Sequence, residues 1–185
     1  MATLSYGMIS SLDGYVTGAD SNFAWAEPDA EVHQFVNDRD RGIGTYLYGR
    51  RMWETMKVWG EDDWLAGEPD VVQDYAQLWR DADKVVFSST LSSVEEPRTR
   101  LEHSLDLDAI RRLKESADAD LTVAGPTLAA QLLRAGLIDE LTIYLAPAVI
   151  GSGVRLLPEV TLTLELLEEQ RFASGFVFLR YAVRN

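Results

Sequence analysis

The chain of 185 residues is 46% apolar and carries a formal net charge of −13, which predicts one domain over residues 1–185 with a sizeable core. The acidic charge disfavours nucleic acid or an anionic membrane as a partner, and the lack of cysteine excludes disulfides and thiolate metal sites. With only two histidines we expect no metal centre, and without a basic, apolar leader we expect a cytoplasmic protein.

Strands alternate with helices along most of the chain. The first half of the chain is predicted to contain a strand over 3–11, a helix from Pro28 to about Asp38, a strand over 45–48, a helix containing Trp53 and Met56, a polar loop over 61–67 and a helix over 70–81. A strand over 84–87, a connection over 97–103 and a helix over 107–115 follow. The last part is predicted to contain a strand from Leu121, a helix after Pro126, a strand over 141–150, and a hairpin of strands over 161–169 and 176–183. This order predicts an α/β fold whose mainly parallel sheet is covered on both faces and ends in an antiparallel hairpin. Ligands of such folds bind at the carboxyl ends of the strands.

Three predicted strand ends carry residues suited to binding phosphate. They are Gly49-Arg50-Arg51, Ser88-Ser89-Thr90 and Ala124-Gly125-Pro126-Thr127. Free amides at a helix start attract phosphate, but such an end contributes only about 0.3–1 kcal/mol. A charge-assisted arginine bond contributes about 1.5–3 kcal/mol, whereas micromolar affinity needs roughly 8 kcal/mol. A dinucleotide that contacts all three ends could therefore bind despite the acidic surface.

Each strand end also has an ordinary structural explanation. Arg50 and Arg51 could form a solvated basic pair balanced by Glu54, and the two serines could cap the following turn. Gly125 could belong to an ordinary strand-to-helix turn. The residues alone leave both interpretations open.

Seven short motifs form a series along the chain. They are Ser11-Leu-Asp-Gly14, Tyr48-Gly-Arg-Arg-Met-Trp-Glu54, Phe87-Ser-Ser89, Val123-Ala-Gly125, Gly136-Leu-Ile-Asp-Glu-Leu141, Ala146-Pro-Ala-Val-Ile-Gly-Ser-Gly153 and Gly175-Phe-Val-Phe-Leu-Arg-Tyr181. In the order and spacing of these motifs, which cover nearly the whole chain, it resembles the dihydrofolate reductase superfamily. It is most similar to the single-domain relatives of the C-terminal reductase domain of the bifunctional riboflavin-biosynthesis deaminase–reductase. The resemblance implies a dihydrofolate reductase-like, three-layer αβα fold.

The resemblance also implies NADPH as the cofactor. The implied cofactor-binding residues all lie at or beside strand ends: Gly49, Arg50 and Arg51 for the phosphates, Ser88 and Ser89 for the adenosine 2′-phosphate, Ala124, Gly125, Thr127 and Leu128 for the pyrophosphate, and Ile9 and Val16 beside the nicotinamide.

The same resemblance implies a substrate side at the start of the first helix. Glu31 lies four residues before Phe35, which is the spacing of the acid in dihydrofolate reductases, and Asp29 is the rival acid. Both carboxylates could instead be first-turn acids favoured by the helix dipole. Asp13, Trp25 and Phe35 complete the expected substrate contacts, and Trp25 could stack on a flat ring.

The chain departs from the riboflavin reductase domain at two places. Gly7 stands where that domain has a lysine, and Ala124-Gly125-Pro126 stands where it has Glu-Gly-Gly. Met52 stands where a dihydrofolate reductase has a threonine.

The expected function is NADPH-dependent hydride transfer to a C=N or C=O bond of a small heterocyclic or sugar-like substrate. The most similar named activity is that of 5-amino-6-(5-phosphoribosylamino)uracil reductase. Dihydrofolate reduction, a non-catalytic nucleotide-binding protein of the same fold and a flavin-binding protein are the alternatives. We also expect a homodimer, formed through residues 146–150 and the aromatic final strand.

Overall fold

The computed structural model describes residues 1–184, which form ten strands and six α-helices. The strands are β1 (Leu4–Ser11), β2 (Tyr15–Thr17), β3 (Ile43–Gly49), β4 (Asp83–Phe87), β5 (Thr99–Glu102), β6 (Asp120–Ala124), β7 (Glu140–Ala146), β8 (Val154–Arg155), β9 (Thr163–Arg171) and β10 (Val177–Arg184). The helices are α1 (Ala30–Asp40), α2 (Arg50–Met56), α3 (Asp62–Leu65), α4 (Asp70–Asp81), α5 (Leu107–Ser116) and α6 (Pro126–Arg134). Short 3₁₀ turns cover Ala24–Ala26 and Lys57–Gly60.

Eight of the strands form one mixed sheet in the order β5-β4-β3-β6-β1-β7-β10-β9. Every pairing from β5 to β7 is parallel, whereas β10 runs antiparallel to both β7 and β9. The predicted α/β fold, with a mainly parallel sheet and an antiparallel C-terminal hairpin, is confirmed. Apart from this sheet, β2 and β8 form a short antiparallel pair in which Tyr15 lies opposite Arg155.

Neighbouring residues of a central strand enter different cores, because strand side chains alternate between the two faces of a sheet. On β3, Leu47 packs in one core with Leu132 of α6, whereas Tyr48 packs in another with Trp79 of α4. A third cluster joins Val32 of α1 to the C-terminal hairpin. Burying one such leucine contributes about 1.5–3 kcal/mol, so these clusters hold the helices on both faces of the sheet. The three-layer arrangement follows.

Two elements around α1 and α3 differ from their predicted bounds. Pro28 lies outside α1 rather than in its first turn, because Asp29 caps the helix by accepting a hydrogen bond from the amide of Val32. The segment over 61–67 is not a continuous loop, since Asp62–Leu65 forms a single helical turn.

The apolar sequence predicted that strand β7 would continue to Ile150, but the strand ends at Ala146. Pro147 follows at once and has no amide to donate to a neighbouring strand. Beyond it the chain turns towards β1, where the amide of Leu12 donates to the carbonyl of Ala148. The apolar residues after Ala146 therefore form a loop at the carboxyl edge of the sheet.

Candidate functional site

The predicted phosphate-binding residues lie at the carboxyl ends of three adjacent strands. Gly49 ends β3, Ser88 follows β4 and Gly125 follows β6, and β3 lies between the other two strands. Neighbouring strands are about 4.8 Å apart, so the three ends span roughly 10 Å of one sheet edge. The fold brings the three groups together.

The turn after β6 requires glycine at position 125. Gly125 has a φ of 97°, which residues with side chains rarely adopt, and a Cβ built there would lie 3.1 Å from the Cβ of Met52 on α2. Within residues 1–184 no side chain caps the start of α6, where Pro126 is the first residue. The amides of Thr127 and Leu128 have no partner within the helix, and Thr127 is exposed whereas Leu128 is buried. Gly125 itself is buried and its amide donates to Sδ of Met8 at 3.3 Å, so the uncapped start of α6 is the part of this turn that fits a pyrophosphate.

Arg50 is held above the sheet edge by two side chains. Its Nε donates to Oε1 of Glu54 at 2.8 Å, and its Nη1 donates to Oγ1 of Thr90 at 2.8 Å. The side chains of Arg50 and Glu54 are 49% and 46% exposed, and such surface ion pairs contribute only about 0–1 kcal/mol. A phosphate, which gains about 1.5–3 kcal/mol from a charge-assisted bond, could therefore replace Glu54 as the partner. Arg51 beside it is exposed.

The serine turn after β4 combines a structural residue with exposed hydroxyls. Ser88 is buried, and its Oγ accepts hydrogen bonds from the amides of Thr90 and Leu91 at 3.3 and 3.1 Å, so it caps the turn. Ser89 and Thr90 are exposed. Thr90, which the sequence grouped with the two serines, joins this turn to the start of α2 by accepting a hydrogen bond from Arg50. The run of hydroxyls signalled Thr90, but its pairing with Arg50 depends on the fold.

Asp13 ties the turn after β1 to the loop after β7. Its carboxylate accepts hydrogen bonds from the Ser11 hydroxyl at 2.7 Å and from the amides of Ile150 and Gly151 at 3.2 and 2.7 Å. The Ser11 hydroxyl, aided by the two amides, holds the pKa of the Asp13 carboxyl below its usual range. The carboxylate that was expected to contact substrate thus joins two loops of this edge.

The two residues expected beside the nicotinamide belong to different cores. Val16 on β2 is buried in the core beneath α6. Ile9 on β1 is partly buried and packs, like Trp25, against the cluster that joins α1 to the hairpin. Of the two, Ile9 is the more accessible at the end of β1.

A pocket of about 330 Å³ opens beside the turn after β1. It is lined by Gly18, Ala19, Asp20, Asn22, Trp25, Ile150 and Ser152. One wall is held by its own hydrogen bonds, from the Asn22 amide to Oδ1 of Asp20 at 2.9 Å and from the Trp25 indole to the Asn22 carbonyl at 3.3 Å. The other wall is fixed where Gly153 meets Thr17, since a Cβ at Gly153 would lie 1.9 Å from the Thr17 carbonyl oxygen. Trp25 is the predicted substrate residue that lines this pocket.

The two candidate acids on the first helix bind backbone amides. Asp29 caps α1 through Val32, with an oxygen–nitrogen distance of 2.9 Å. Glu31 is exposed, and its Oε2 accepts a hydrogen bond from the amide of Ala173 in the β9–β10 turn at 3.3 Å. Neither carboxylate belongs to the lining of the pocket.

Phe35 packs into the interior and not against the pocket. Its ring centroid lies 5.1 Å from that of Phe172 and 5.0 Å from that of Phe178, in edge-to-face contacts. Glu31 and Phe35 lie one turn apart on α1, but Glu31 meets the hairpin turn while Phe35 enters the aromatic cluster.

No metal site or membrane helix is found in the part of the chain that the structure describes. Residues 1–184 contain no group of three or more histidine, aspartate or glutamate side chains placed to hold a metal ion. No helix in the same range is long and apolar enough to cross a membrane.

Known proteins resemble this chain in sequence and fold. YyaP of Bacillus subtilis (strain 168) is 27% identical over 176 residues, which are 92% of this chain and 89% of that protein. The riboflavin biosynthesis protein RibD of Escherichia coli (strain K12) is 41% identical over 81 residues, which are 42% of this chain and 21% of that protein. The structure of Acinetobacter baumannii RibD, form 2, superimposes on this chain with a TM-score of 0.71 at 18% identity. The match covers 100% of this chain and 58% of the RibD chain.

The family model confirms the resemblance that the seven motifs carried. The model of the RibD C-terminal domain matches residues 2–178, and thus nearly the whole of the chain. The chain belongs to the RibD C-terminal domain family.

Proposed function

We propose that the protein is a reductase that binds NADPH along the ends of β4, β3 and β6 and reduces a small heterocyclic compound. The observation that carries this proposal is the convergence of an arginine pair, a hydroxyl-rich turn and an uncapped helix start on three adjacent strand ends. Membership of the RibD C-terminal domain family supports it.

Each group at the edge has a part in holding the cofactor. Arg50 and Arg51, at the start of α2 after Gly49, bind phosphate charges. The 2′-phosphate meets the exposed hydroxyls of Ser89 and Thr90, and Ser88 holds their turn in place. The pyrophosphate lies at the uncapped start of α6, on the amides of Thr127 and Leu128 that follow Ala124 and Gly125.

When bound, NADPH supplies a hydride to the carbon of a C=N or C=O bond and becomes NADP⁺, while the nitrogen or oxygen of that bond takes up a proton. The chain's part is to orient the two reacting atoms at the end of β1, beside Ile9. Glu31 or Asp29, neither of which lines the pocket, delivers the proton through water.

A titration of NADPH and NADH at low salt, followed by cofactor fluorescence, tests the proposal. NADPH is expected to bind more tightly, because its extra phosphate meets Arg50 and the serine turn. The change Arg50→Ala should weaken NADPH binding by about 1.5–3 kcal/mol, the contribution of one charge-assisted hydrogen bond, and should reduce the preference over NADH.

Arg134→Ala is the matched control for this titration. Arg134 is exposed at the far end of α6, at the opposite edge of the sheet, and its loss changes the net charge equally. Both cofactor affinities should stay as in the wild type. Equal affinities of the wild-type protein for NADPH and NADH would refute the role of Arg50 and the serine turn, and failure to bind either would refute the proposed function.

A further inference from the structure

Acidic side chains dominate the part of the chain that builds the pocket. Residues 1–38 contain neither lysine nor arginine but six carboxylates, namely Asp13, Asp20, Glu27, Asp29, Glu31 and Asp38. This segment supplies β1, the pocket wall over 18–25 and most of α1. This segment therefore brings only negatively charged side chains to this side of the sheet edge.

The lining itself contains one ionisable side chain, Asp20, and no cation. Its other functional groups are neutral: the amide of Asn22, the hydroxyl of Ser152 and the indole of Trp25. Arg155 on β8 is outside the lining, and its guanidinium carbon lies 5.3 Å from the centre of the Tyr15 ring. A phosphate in this pocket would face a carboxylate without a compensating charge.

Positive and negative groups occupy different parts of the sheet edge. Arg50 and Arg51 follow β3, whereas the pocket lies between the loops after β2 and β7. In the sheet, β6 and β1 separate β3 from β7. Phosphate groups are thus attracted to one part of the edge and repelled from the other, because like charges brought together raise the energy of a complex.

We infer, on the basis of the function proposed above, that the pocket takes an unphosphorylated ring compound that is neutral or cationic. The ring stacks on Trp25 and forms hydrogen bonds with Asn22 and Ser152. The carboxylate of Asp20 repels anionic compounds and so disfavours phosphorylated ones. This substrate class differs from the phosphoribosyl compound that the family resemblance implied.

Saturation-transfer NMR on the full chain tests the inference with three probes: 2,4-diaminopyrimidine, uridine and uridine 5′-phosphate. The last two differ only in the phosphate. Binding to the pocket is defined as binding that is lost in Trp25→Ala and retained in Trp64→Ala, which removes an exposed tryptophan on α3, outside the pocket. Binding that persists in Trp25→Ala is assigned to the proposed cofactor site at the ends of β4, β3 and β6.

The first two probes should bind to the pocket, and uridine 5′-phosphate should bind there about tenfold or more weakly than uridine. Asp20→Asn keeps an oxygen for the Asn22 amide but removes the charge, so it should bring the two uridine affinities together. Asp63→Asn, at an exposed acid on α3, should leave the difference unchanged.

Three results would overturn the inference. They are equal or tighter pocket binding of uridine 5′-phosphate by the wild type, an unchanged discrimination in Asp20→Asn, and absence of pocket binding by all three probes. NADPH titration of the same samples keeps the two proposals apart. NADPH binding without any probe in the pocket removes only this inference, whereas probe binding without NADPH binding removes the proposed function.

Discussion

Gly125 links backbone conformation to cofactor binding at a single residue. Valine at this position would be strained at a φ of 97° and would press against Met52, so Gly125→Val should lower the free energy of unfolding by about 1–3 kcal/mol. Distortion of this turn would also displace the amides of Thr127 and Leu128 that follow it, so NADPH binding should be lost while the protein remains folded. Urea denaturation and NADPH titration measure the two effects.

Gly67 provides the matched control, because its φ is 87° and no atom lies within 4 Å of the position a Cβ would take. Gly67→Val should therefore show the backbone strain alone and bind NADPH normally. If Gly125→Val is folded and binds NADPH as the wild type does, the turn after β6 is only structural.

Asp40 gives the protein a pH-dependent stability. The Tyr46 hydroxyl donates to its Oδ2 at 2.9 Å, and burial raises the pKa of Asp40 to about 6, although the Tyr46 and Tyr75 hydroxyls act to lower it. The unfolded chain has the ordinary aspartate pKa of about 3.9, so the folded state holds the proton more tightly. Asp40 therefore reduces stability as the pH rises from about 4 to about 6, and the reduction is complete above that range.

The change Asp40→Asn removes the charge and keeps an acceptor for Tyr46. At about pH 7 it should raise the free energy of unfolding by up to about 3 kcal/mol, which is two pKa units at about 1.4 kcal/mol each, and at about pH 4 it should change little. Denaturation at both pH values measures this. Asp38→Asn, at an exposed residue of the same helix, should show no such difference, and an equal gain for Asp40→Asn at both pH values would contradict the mechanism.

Among the elements, those with a strong local pattern could be predicted and those closed by distant contacts could not. The helix over 70–81 has its predicted bounds, because Val71, Tyr75 and Leu78 recur at helical spacing. Tyr75 is buried there together with Ala76 and Trp79. By contrast β2 and β8 contain three and two residues, and they are strands only because Tyr15 pairs with Arg155. No local pattern indicates such a pairing.

The same difference separates the two parts of the site. Gly49 ends its strand, and Ser88 and Gly125 each follow one directly, so a strand prediction with a parallel sheet is enough to bring them together. The pocket joins Asn22 to Ser152, which meet only through the folded loops. For this reason its lining, apart from Trp25, was not predicted.

A substitution on helix α1 should affect catalysis without affecting cofactor binding. Glu31→Gln keeps the oxygen that accepts the Ala173 amide but removes the ionisable proton. If Glu31 delivers the proton, turnover should fall by about 10²–10⁴-fold while NADPH affinity barely changes. Steady-state kinetics and cofactor titration measure the two effects.

Asp29→Asn is the paired change, and it should retain both the helix cap and the turnover. Loss of turnover in Asp29→Asn with normal turnover in Glu31→Gln would assign the proton to Asp29. Normal turnover in both would mean that the two carboxylates serve only the helix and the hairpin turn.

For the whole molecule, the edge of the sheet is β9 and not the final strand, since β10 lies between β7 and β9. On β9, Leu164 and Leu166 are exposed and share a face of the sheet with Tyr181. On that face α6 packs over β6 and β3 and leaves the β9 end open. We propose that a second copy of the chain covers this end and forms the expected homodimer.

A charge placed on this apolar surface should separate the two copies. Leu166→Glu should give a monomer by light scattering at micromolar concentration, because the dimer would have to bury an unpaired carboxylate. Leu12→Glu, at an exposed leucine in the turn after β1, should remain a dimer. A monomeric wild-type protein would refute the dimer, and a dimeric Leu166→Glu variant would place its interface elsewhere.

The bonds of Asp13 join two loops whose residues are 137 positions apart in the chain, and the β2–β8 pair joins the same loops a second time. The two sides of the pocket are therefore connected to each other, and these bonds hold them in place before a compound binds. Because the pocket opens to solvent, a ring can enter and leave while both loops stay in place. A ring therefore meets walls that are already in position, and its binding does not have to supply the free energy of ordering a loop.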